Sequence, residues 1–506
     1  MKNIILFLIT NLSLTLFSQP NTEWKKTYGG SEFETAHSII QTNDGGLIVA
    51  GFATSDNSGD VDGFTNGKDG WIIKLDINGN LLWQKILGGD EDDIINSIIQ
   101  TTDGGYIIAG ESNSDNILPN YGDFDYWIVK LDSLGNTIWE NKYGGTGQDR
   151  ANSIYETADN GYIIAGESTS TDGDVTNNKG RSDFWVVKIN NNGALLWEKS
   201  LGGSSFDTAQ EIKQTTDGGY IVVGTTYSSN GDVIGAHGGQ GIDIWAVKLN
   251  NLGNIVWQKP LGGSGIEEGY SIKQTSDGGY IIGGITDSLN GDVIGNDPNN
   301  RDNFWIVKLD HSGTIEWQKC PIFLGSDYGR SIIETTEGDF IIAGYNYYDL
   351  YASNILVVKL DDLGNLIWYK SIGNPISFPG TGTTDDERAY AIIQVNDGGF
   401  VVAGYSSASE IYGRGDDFYV IKIASENLSN NDVNFNTINF YPNPTKGKII
   451  FNKEFDKIEV YDNIGRIIKV DNSYSSELNI DYLPNGIYYI KVFVNKVYNI
   501  VKIIKE

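Results

Sequence analysis

Residues 96–142 read NSIIQTTDGGYIIAGESNSDNILPNYGDFDYWIVKLDSLGNTIWENK. Four short runs stand out: Asn96–Thr101, Tyr106–Glu111, Tyr126–Leu131 and Thr137–Lys142. Each is rich in β-branched and aromatic residues. Turn residues bound them: Asp103-Gly104-Gly105 after the first run and Asp132–Asn136, an Asp-x-x-Gly-Asn sequence, after the third. Glycine supplies the backbone conformations, and aspartate the local hydrogen bonds, that tight turns need, so the stretch predicts four antiparallel strands.

The pattern recurs along most of the chain, and the tryptophans mark it. All twelve occupy two repeat positions. One series is Trp24, Trp83, Trp139, Trp197, Trp257, Trp317 and Trp368, spaced by 51 to 60 residues. The other is Trp71, Trp127, Trp185, Trp245 and Trp305, with Leu356 and Tyr419 in the last two units. Nothing beyond the first residues sustains a 3.6-residue period, so almost no helix is expected. Four strands repeated seven times predict a β-propeller rather than an open solenoid, and the ends decide between the two. The chain opens with a lone strand at Glu23–Tyr28, and the last unit has only three (Ala389–Val395, Phe400–Tyr405, Phe418–Ile423). The first strand supplies the missing fourth, which closes the ring and removes exposed edges. The predicted fold is all-β: a seven-bladed β-propeller closed by an N-terminal strand, followed by a small C-terminal β-sandwich. The Leu-Asp-x-x-Gly-x-x-x-Trp hairpins (Leu75–Trp83, Leu131–Trp139, Leu309–Trp317, Leu360–Trp368) resemble the tryptophan-docking repeats of pyrroloquinoline-quinone-type propellers. That likeness is architectural and does not carry function.

The 506 residues include 66 acidic and 36 basic ones, a net charge of −30. That excludes nucleic acid as a partner, because its affinity comes from basic side chains meeting phosphates. A single cysteine, Cys320, excludes a disulfide framework and a cysteine zinc site. Residues 1–18 read as a signal peptide: Lys2, an apolar run from Ile4 to Phe17, then Ser18. No later apolar run is long enough for a transmembrane segment. The predicted organisation is a signal at 1–18, the propeller at 19–423, a polar linker at 424–434 and a C-terminal domain at 435–506. Residues 19–434 hold 25 basic and 58 acidic residues, net −33, whereas the tail is about +2. Opposite charge in two regions marks two modules.

The tail carries Tyr441-Pro442-Asn443-Pro444-Thr445-Lys446-Gly447 at its start and Val460-Tyr461-Asp462-Asn463-Ile464-Gly465-Arg466 in its middle. Leu483-Pro484-Asn485-Gly486-Ile487-Tyr488-Tyr489-Ile490 comes next, then a last strand ending Lys502-Ile503-Ile504-Lys505. In order and spacing these blocks resemble the C-terminal sorting domain of type IX secretion cargo. Pro442, Asn443, Pro444 and Gly447 set a turn, and Gly465 and Gly486 are expected in hairpins. The resemblance implies passage through the inner membrane by the signal and recognition by the type IX machinery at the outer membrane. The cargo is then released or attached to the outer surface of a Gram-negative bacterium.

Three groups of side chains are candidates for a site. A carboxylate precedes each innermost strand core: Glu34, Asp93, Asp149, Asp207, Glu267, Asp327 and Glu387. These are expected near the rim of the central channel, chiefly in a structural role within their Gly-rich turns, with pairing to a lysine series (Lys74, Lys130, Lys188, Lys248, Lys308, Lys359, Lys422) as a hypothesis. Gly-Asp-Val loops place Asp56, Asp60, Asp62, Asp174, Asp232 and Asp292 on the same face, where Ca²⁺ is the candidate cofactor, although the full calcium-loop pattern is absent. The sixth unit breaks the repeat with Tyr345, Tyr347, Tyr348 and Tyr351 in a short loop. Tyrosines that present an apolar face and a polar tip stack on sugars or anchor a protein partner. No nucleophile or phosphate-binding motif appears, so no catalytic residue is assigned. The sequence thus points to an exported, non-enzymatic propeller that binds glycan or protein. The alternative is an extracellular polysaccharide hydrolase or lyase using paired carboxylates.

Overall fold

The computed structural model describes residues 19–426 and 440–506, apart from 64–66, 119, 238–240, 299–301, 324, 348–352, 374–385, 408–414, 462–466, 472–474 and 495–496. The predicted signal and most of the predicted linker lie outside these residues. Two compact units part between Glu426 and Asn427. The first three linker residues go with the first unit, because Glu426 pairs with Lys359 at 2.8 Å and accepts the Trp368 indole N–H at 2.5 Å.

Among the described residues the first unit forms seven four-stranded antiparallel sheets. Blade 1 runs outward through Glu34–Gln41, Leu47–Ala53, Asp69–Leu75 and Leu81–Leu87. The innermost strands of blades 2 to 7 are Asp93–Gln100, Asp149–Glu156, Asp207–Gln214, Glu267–Gln274, Ser326–Glu334 and Glu387–Gln394. Each innermost strand packs beside the next, and the last packs beside the first, so the ring is closed. Blade 7 takes its outer strand from the start of the chain. Thr22–Tyr28 pairs with Asp417–Ile423, in register from Tyr28 opposite Phe418 to Trp24 opposite Lys422.

Two further devices join the blades. At one end of the channel a glutamine or glutamate of every blade accepts a backbone N–H from the turn of the preceding blade. Gln100, Glu156, Gln214, Gln274, Glu334 and Gln394 do so at 2.8 Å. Gln41 completes the circle with Asn396 N–H at 2.9 Å. On the outside, the first tryptophan series, Trp368 apart, docks on the Asp/Asn-x-x-Gly turn of the following blade. Trp24 donates to Ile77 O at 3.2 Å, and a Cβ on Gly79 would meet its ring at 3.0 Å, so that position combines a tight approach with a φ of 73°. The buried tryptophan series forms the blade cores. Trp71, Trp185 and Trp305 are fully buried, and each indole N–H bonds a fourth-strand side chain, Gln84, Glu198 and Gln318 respectively, at 2.8–2.9 Å.

The lysine series does not pair with the carboxylates ahead of the innermost strands. Each buried ammonium meets the aspartate of the strand 1–strand 2 turn at the other end of its blade: Lys74 with Asp44 at 2.8 Å, Lys130 with Asp103 at 3.0 Å, Lys188 with Asp159 at 3.0 Å. The reason is register. Lys74 lies opposite Ile48, near the start of the second strand, whereas Glu34 lies opposite Ala53 at its far end.

The second unit is a two-sheet sandwich. Phe440–Tyr441, Lys448–Phe455 and Ser475–Asn479 form one sheet, and Ile467–Asp471, Lys457–Tyr461, Gly486–Val494 and Val497–Lys505 the other. They share a core that includes Ile449, Phe451, Ile458, Ile490 and Ile503. The Pro442–Gly447 segment is tied to the last strand: Asn443 accepts the Ile504 N–H at 2.8 Å, and Thr445 bridges to Lys505. Pro442 and Pro444 both follow cis peptide bonds. Gly447 packs tightly on Asp481, and the Tyr488 hydroxyl donates to Pro484 O at 2.7 Å. Gly486 opens a strand opposite Lys505 instead of sitting in a hairpin turn. Asp462 and Gly465 lie outside the described residues, as does the Lys502 side chain.

Candidate functional site

The innermost strand of every blade carries one β-bulge, at the same place. The register shifts between Ala36 and Ser38, Ile95 and Ser97, Ala151 and Ser153, Ala209 and Glu211, Gly269 and Ser271, Gly329 and Ser331, and Ala389 and Ala391. A glycine of the second strand faces each bulge. At Gly51, Gly110, Gly166, Gly224, Gly284, Gly344 and Gly404 an added Cβ would overlap a backbone oxygen of the innermost strand. The repeated Gly in runs such as YIIAGE therefore makes room for the bulge, and a bulge re-aims the extra side chain. The extra residues are His37, Asn96, Asn152, Gln210, Tyr270, Arg330 and Tyr390. All seven line a cavity of about 490 Å³ in the central channel.

These positions share a backbone but not a chemistry. Blades 1 to 4 present His, Asn, Asn and Gln, and blades 5 to 7 present Tyr, Arg and Tyr. The Arg330 guanidinium lies 3.9 Å from the Tyr270 ring centroid, 5.6 Å from that of Tyr345 and 5.8 Å from that of Tyr390. It donates to the Tyr345 hydroxyl at 3.0 Å. Tyr345 stacks on Tyr328, with centroids 5.0 Å apart, and Tyr347 stands edge-on to both at 5.7 Å. Arg388 reaches over Tyr345 and Tyr347 and pairs with Asp386 at 2.8 Å; Asp386 also accepts the Tyr405 hydroxyl at 2.9 Å. On the wall, Glu211 stands where most blades have serine and pairs with both Lys213 and Lys273. Burial alone would raise the Glu211 carboxyl, but the two lysine charges outweigh it and keep the group ionised.

Of the sequence candidates, Tyr345 and Tyr347 belong to this cluster, Tyr345 being buried and Tyr347 half-buried. Tyr348 and Tyr351 lie outside the described residues. The tryptophan and turn repeats do not mark Tyr270, Arg330, Arg388 and Tyr390. For Tyr270, Arg330 and Tyr390 the signal lies in an aligned comparison of the innermost strands, where blades 5 to 7 depart from the His, Asn, Asn and Gln of blades 1 to 4.

The carboxylates ahead of the innermost strands do not line the cavity. They are turned into the blade junctions, where Glu34, Asp93, Asp149, Asp207, Glu267 and Asp327 are fully buried. Asp149 accepts the Gly145 N–H and the Ser170 hydroxyl, each at 2.8 Å, and Asp207 accepts the Gly203 N–H and the Ser228 hydroxyl at the same distance. A second buried acid faces each of these across a Gly-Gly turn, Asp125 beside Gly144 and Asp183 beside Gly202. The loop acids Asp174, Asp232 and Asp292 accept the first glycine N–H of the same turns at 3.1–3.3 Å. Asp60 does so at 3.4 Å, while Asp56 and Asp62 are exposed. Other side chains join them: Lys179 meets Asp232 at 2.8 Å, and the His237 ring nitrogens lie 3.3 Å from Asp243 and from Asp292. Among the described residues no three His, Cys, Asp or Glu side chains gather as a metal-ligand set.

Burial raises these acids, which gives a pH dependence. Burial, reinforced by nearby carboxylates, lifts Asp125 and Asp183 to about 6, and burial lifts Asp327 to about 8. An acid with a folded pKa above its unfolded value of about 3.9 binds its proton more tightly when folded. Stability is therefore lost as pH rises from about 4 to 6 through Asp125 and Asp183, and on to about 8 through Asp327. Calorimetry at pH 5, 6.5 and 8.5 should show a falling Tm, and Asp327→Asn should raise Tm at pH 8.5 by about 2 °C or more. A wild-type Tm that climbs from pH 6.5 to 8.5 would contradict this assignment.

The first unit is a closed propeller whose symmetric blades surround an asymmetric polar channel. Residues 439–506 match the family described as the secretion system C-terminal sorting domain. The tail is thus a sorting domain of type IX export, and the chain is directed to the outer cell surface. Among the described residues no helix is long and apolar enough to cross a membrane. No curated protein matches the sequence. Solved structures with related architecture include Sqt1 from Chaetomium thermophilum (TM-score 0.42, 11% identity, 80% of this chain and 100% of that one). PorZ, a surface component of the type IX secretion system of Porphyromonas gingivalis, aligns with TM-score 0.39 and 12% identity over 94% of this chain and 59% of its own. The polysaccharide lyase Uly1 aligns with TM-score 0.41 and 9% identity over 78% and 90%. Likeness at this level carries no argument about activity.

Proposed function

We propose that the protein is an exported, non-enzymatic propeller that binds a glycan at the cell surface through the wall built by blades 5 to 7. The observation that carries this reading is the tyrosine–arginine cluster around Tyr328, Tyr345 and Tyr347. It occurs on one side of a ring whose other blades lack it, and a ligand site is where a repeat gains by departing from symmetry. Stacked aromatic faces with fixed polar tips suit sugar rings, which present C–H faces and hydroxyl edges. Asp302 accepts the Tyr328 hydroxyl at 2.7 Å and Glu268 accepts the Tyr270 hydroxyl, while Asp386 is engaged by Arg388, the Tyr405 hydroxyl and the Ser353 hydroxyl. An acid so held acts as a positioning group for Arg388, which favours binding over hydrolysis or elimination by paired carboxylates.

A glycan array probed with the purified chain, with and without Ca²⁺, tests the reading. Binding to a defined set of glycans is expected, and Tyr347→Ala should weaken it by about tenfold, a typical effect of removing one aromatic anchor. Failure to bind any glycan, with retention of a protein from the cell surface, would replace the sugar ligand by a protein one. Turnover of a bound polysaccharide would move the protein to the hydrolase or lyase class.

A further inference from the structure

The propeller and its flanking segments carry a net charge of −33, yet the cavity wall is locally basic. Its ionised groups are Lys213, Lys273 and Arg330 against the single acid Glu211. Glu211 is already paired with the two lysines, which leaves the guanidinium uncompensated. Among the described residues, the groups around Arg330 are tyrosines rather than carboxylates, and its buried Nε has no hydrogen-bond partner. Burying a cation without a counter-charge is costly, and three aromatic faces offset only part of the cost. Such a group is completed by an anion, and a planar guanidinium suits a carboxylate.

The remaining lining narrows the anion. Asn152 uses its amide N–H on Ala209 O at 2.8 Å, which leaves its carbonyl oxygen as an acceptor for a hydroxyl. The Tyr270 and Tyr390 rings flank Arg330 and offer flat apolar faces. A cavity of about 490 Å³ lies in the range that takes small molecules of one or two sugar rings. We infer that the channel is a binding site for a sugar acid, with the carboxylate on Arg330, the ring against Tyr270 or Tyr390 and hydroxyls on the Asn152 side. The inference deepens the glycan-binding reading and rests on it for the sugar part of the ligand. The anion part stands on Arg330 alone.

Isothermal titration of the full chain with D-glucuronate, with D-glucose as the neutral control and inorganic sulfate as the simple-anion control, is the test. Glucuronate should bind at least tenfold more tightly than either control. Arg330→Gln should lower its affinity by at least tenfold, and Arg330→Lys by less, because charge is kept and the planar fork is lost. If Arg330→Gln fails to fold, the wild-type titration at rising NaCl gives the same answer, since the affinity must fall with salt. Equal affinity for glucose and glucuronate, an Arg330→Gln variant that folds and binds like wild type, or no binding at millimolar glucuronate would each overturn the sugar-acid site. Neutral glycans bound on the array by a chain that ignores glucuronate would leave the glycan-binding reading intact and remove only this inference. Sulfate bound as tightly as glucuronate would reduce the site to a simple-anion site and overturn the sugar part.

Discussion

A chain that begins at Gly29 is expected to lose several kcal/mol of stability and to self-associate. Such a chain lacks Thr22–Tyr28, the outer strand of blade 7, and with it the ladder from Tyr28–Phe418 to Trp24–Lys422. It also lacks Glu23, which pairs with Lys422 at 2.7 Å, and the Tyr28 hydroxyl, which bonds Gly79 O of blade 1 at 2.5 Å. Each ladder bond is worth about 1 kcal/mol net, and the buried Lys422 would retain only Asp397. Asp417–Ile423, a strand buried along its whole length, would become an open edge, and an open edge templates pairing with another chain. Light scattering coupled to size exclusion should report dimers or larger species, and calorimetry a lower Tm. A monomer of wild-type Tm would show that closure does not depend on the first strand.

The second large effect is expected at Gly344. A Cβ there would overlap the Tyr328 carbonyl oxygen and crowd the Gly329 Cα, both backbone atoms that cannot swing aside. Gly344→Ala must therefore flatten or shift the bulge that presents Arg330. Overpacking of this kind costs about 1–3 kcal/mol, more where backbone must move. The same change at Gly110 collides with Ile94 O and disturbs the bulge that presents Asn96. Both variants should lose stability to a similar extent, but only Gly344→Ala should abolish ligand binding. Equal binding by the two variants, measured at a temperature where both are folded, would separate the bulge of blade 6 from the site.

The contrast between these two glycines shows what could be read in the sequence. The propeller was legible because it repeats. Tryptophans at two fixed positions, Asp-Gly-Gly turns and one strand left over at each end allow few other solutions. The sorting domain was legible from its motif blocks. The lysine series pairs with other carboxylates than the hypothesised ones, because a sequence shows that a charge recurs but not which end of a strand it occupies. Lys74 meets Asp44, and Glu34 lies at the other end of the blade. The candidate site was half legible. Tyr345 and Tyr347 drew attention as a break in the loops, but Arg330, Tyr270 and Tyr390 sit inside strands that otherwise look ordinary. Only the bulge, which cannot be recognised from one strand alone, turns them into the channel. The carboxylates ahead of the innermost strands keep the structural role expected of them, accepting N–H groups of their own glycine turns, but they lie in the blade junctions and not at the channel rim.

The central claim is that seven equivalent blades form a scaffold and that blades 5 to 7 alone depart from it to hold a ligand. Hydrogen exchange of the full chain, with and without the tightest glycan found on the array, tests it most directly. Protection is expected in Glu267–Gln274, Ser326–Glu334 and Glu387–Gln394, with the innermost strands of blades 1 and 2 unchanged. Protection spread evenly over all seven innermost strands, or confined to the outer strands, would contradict it.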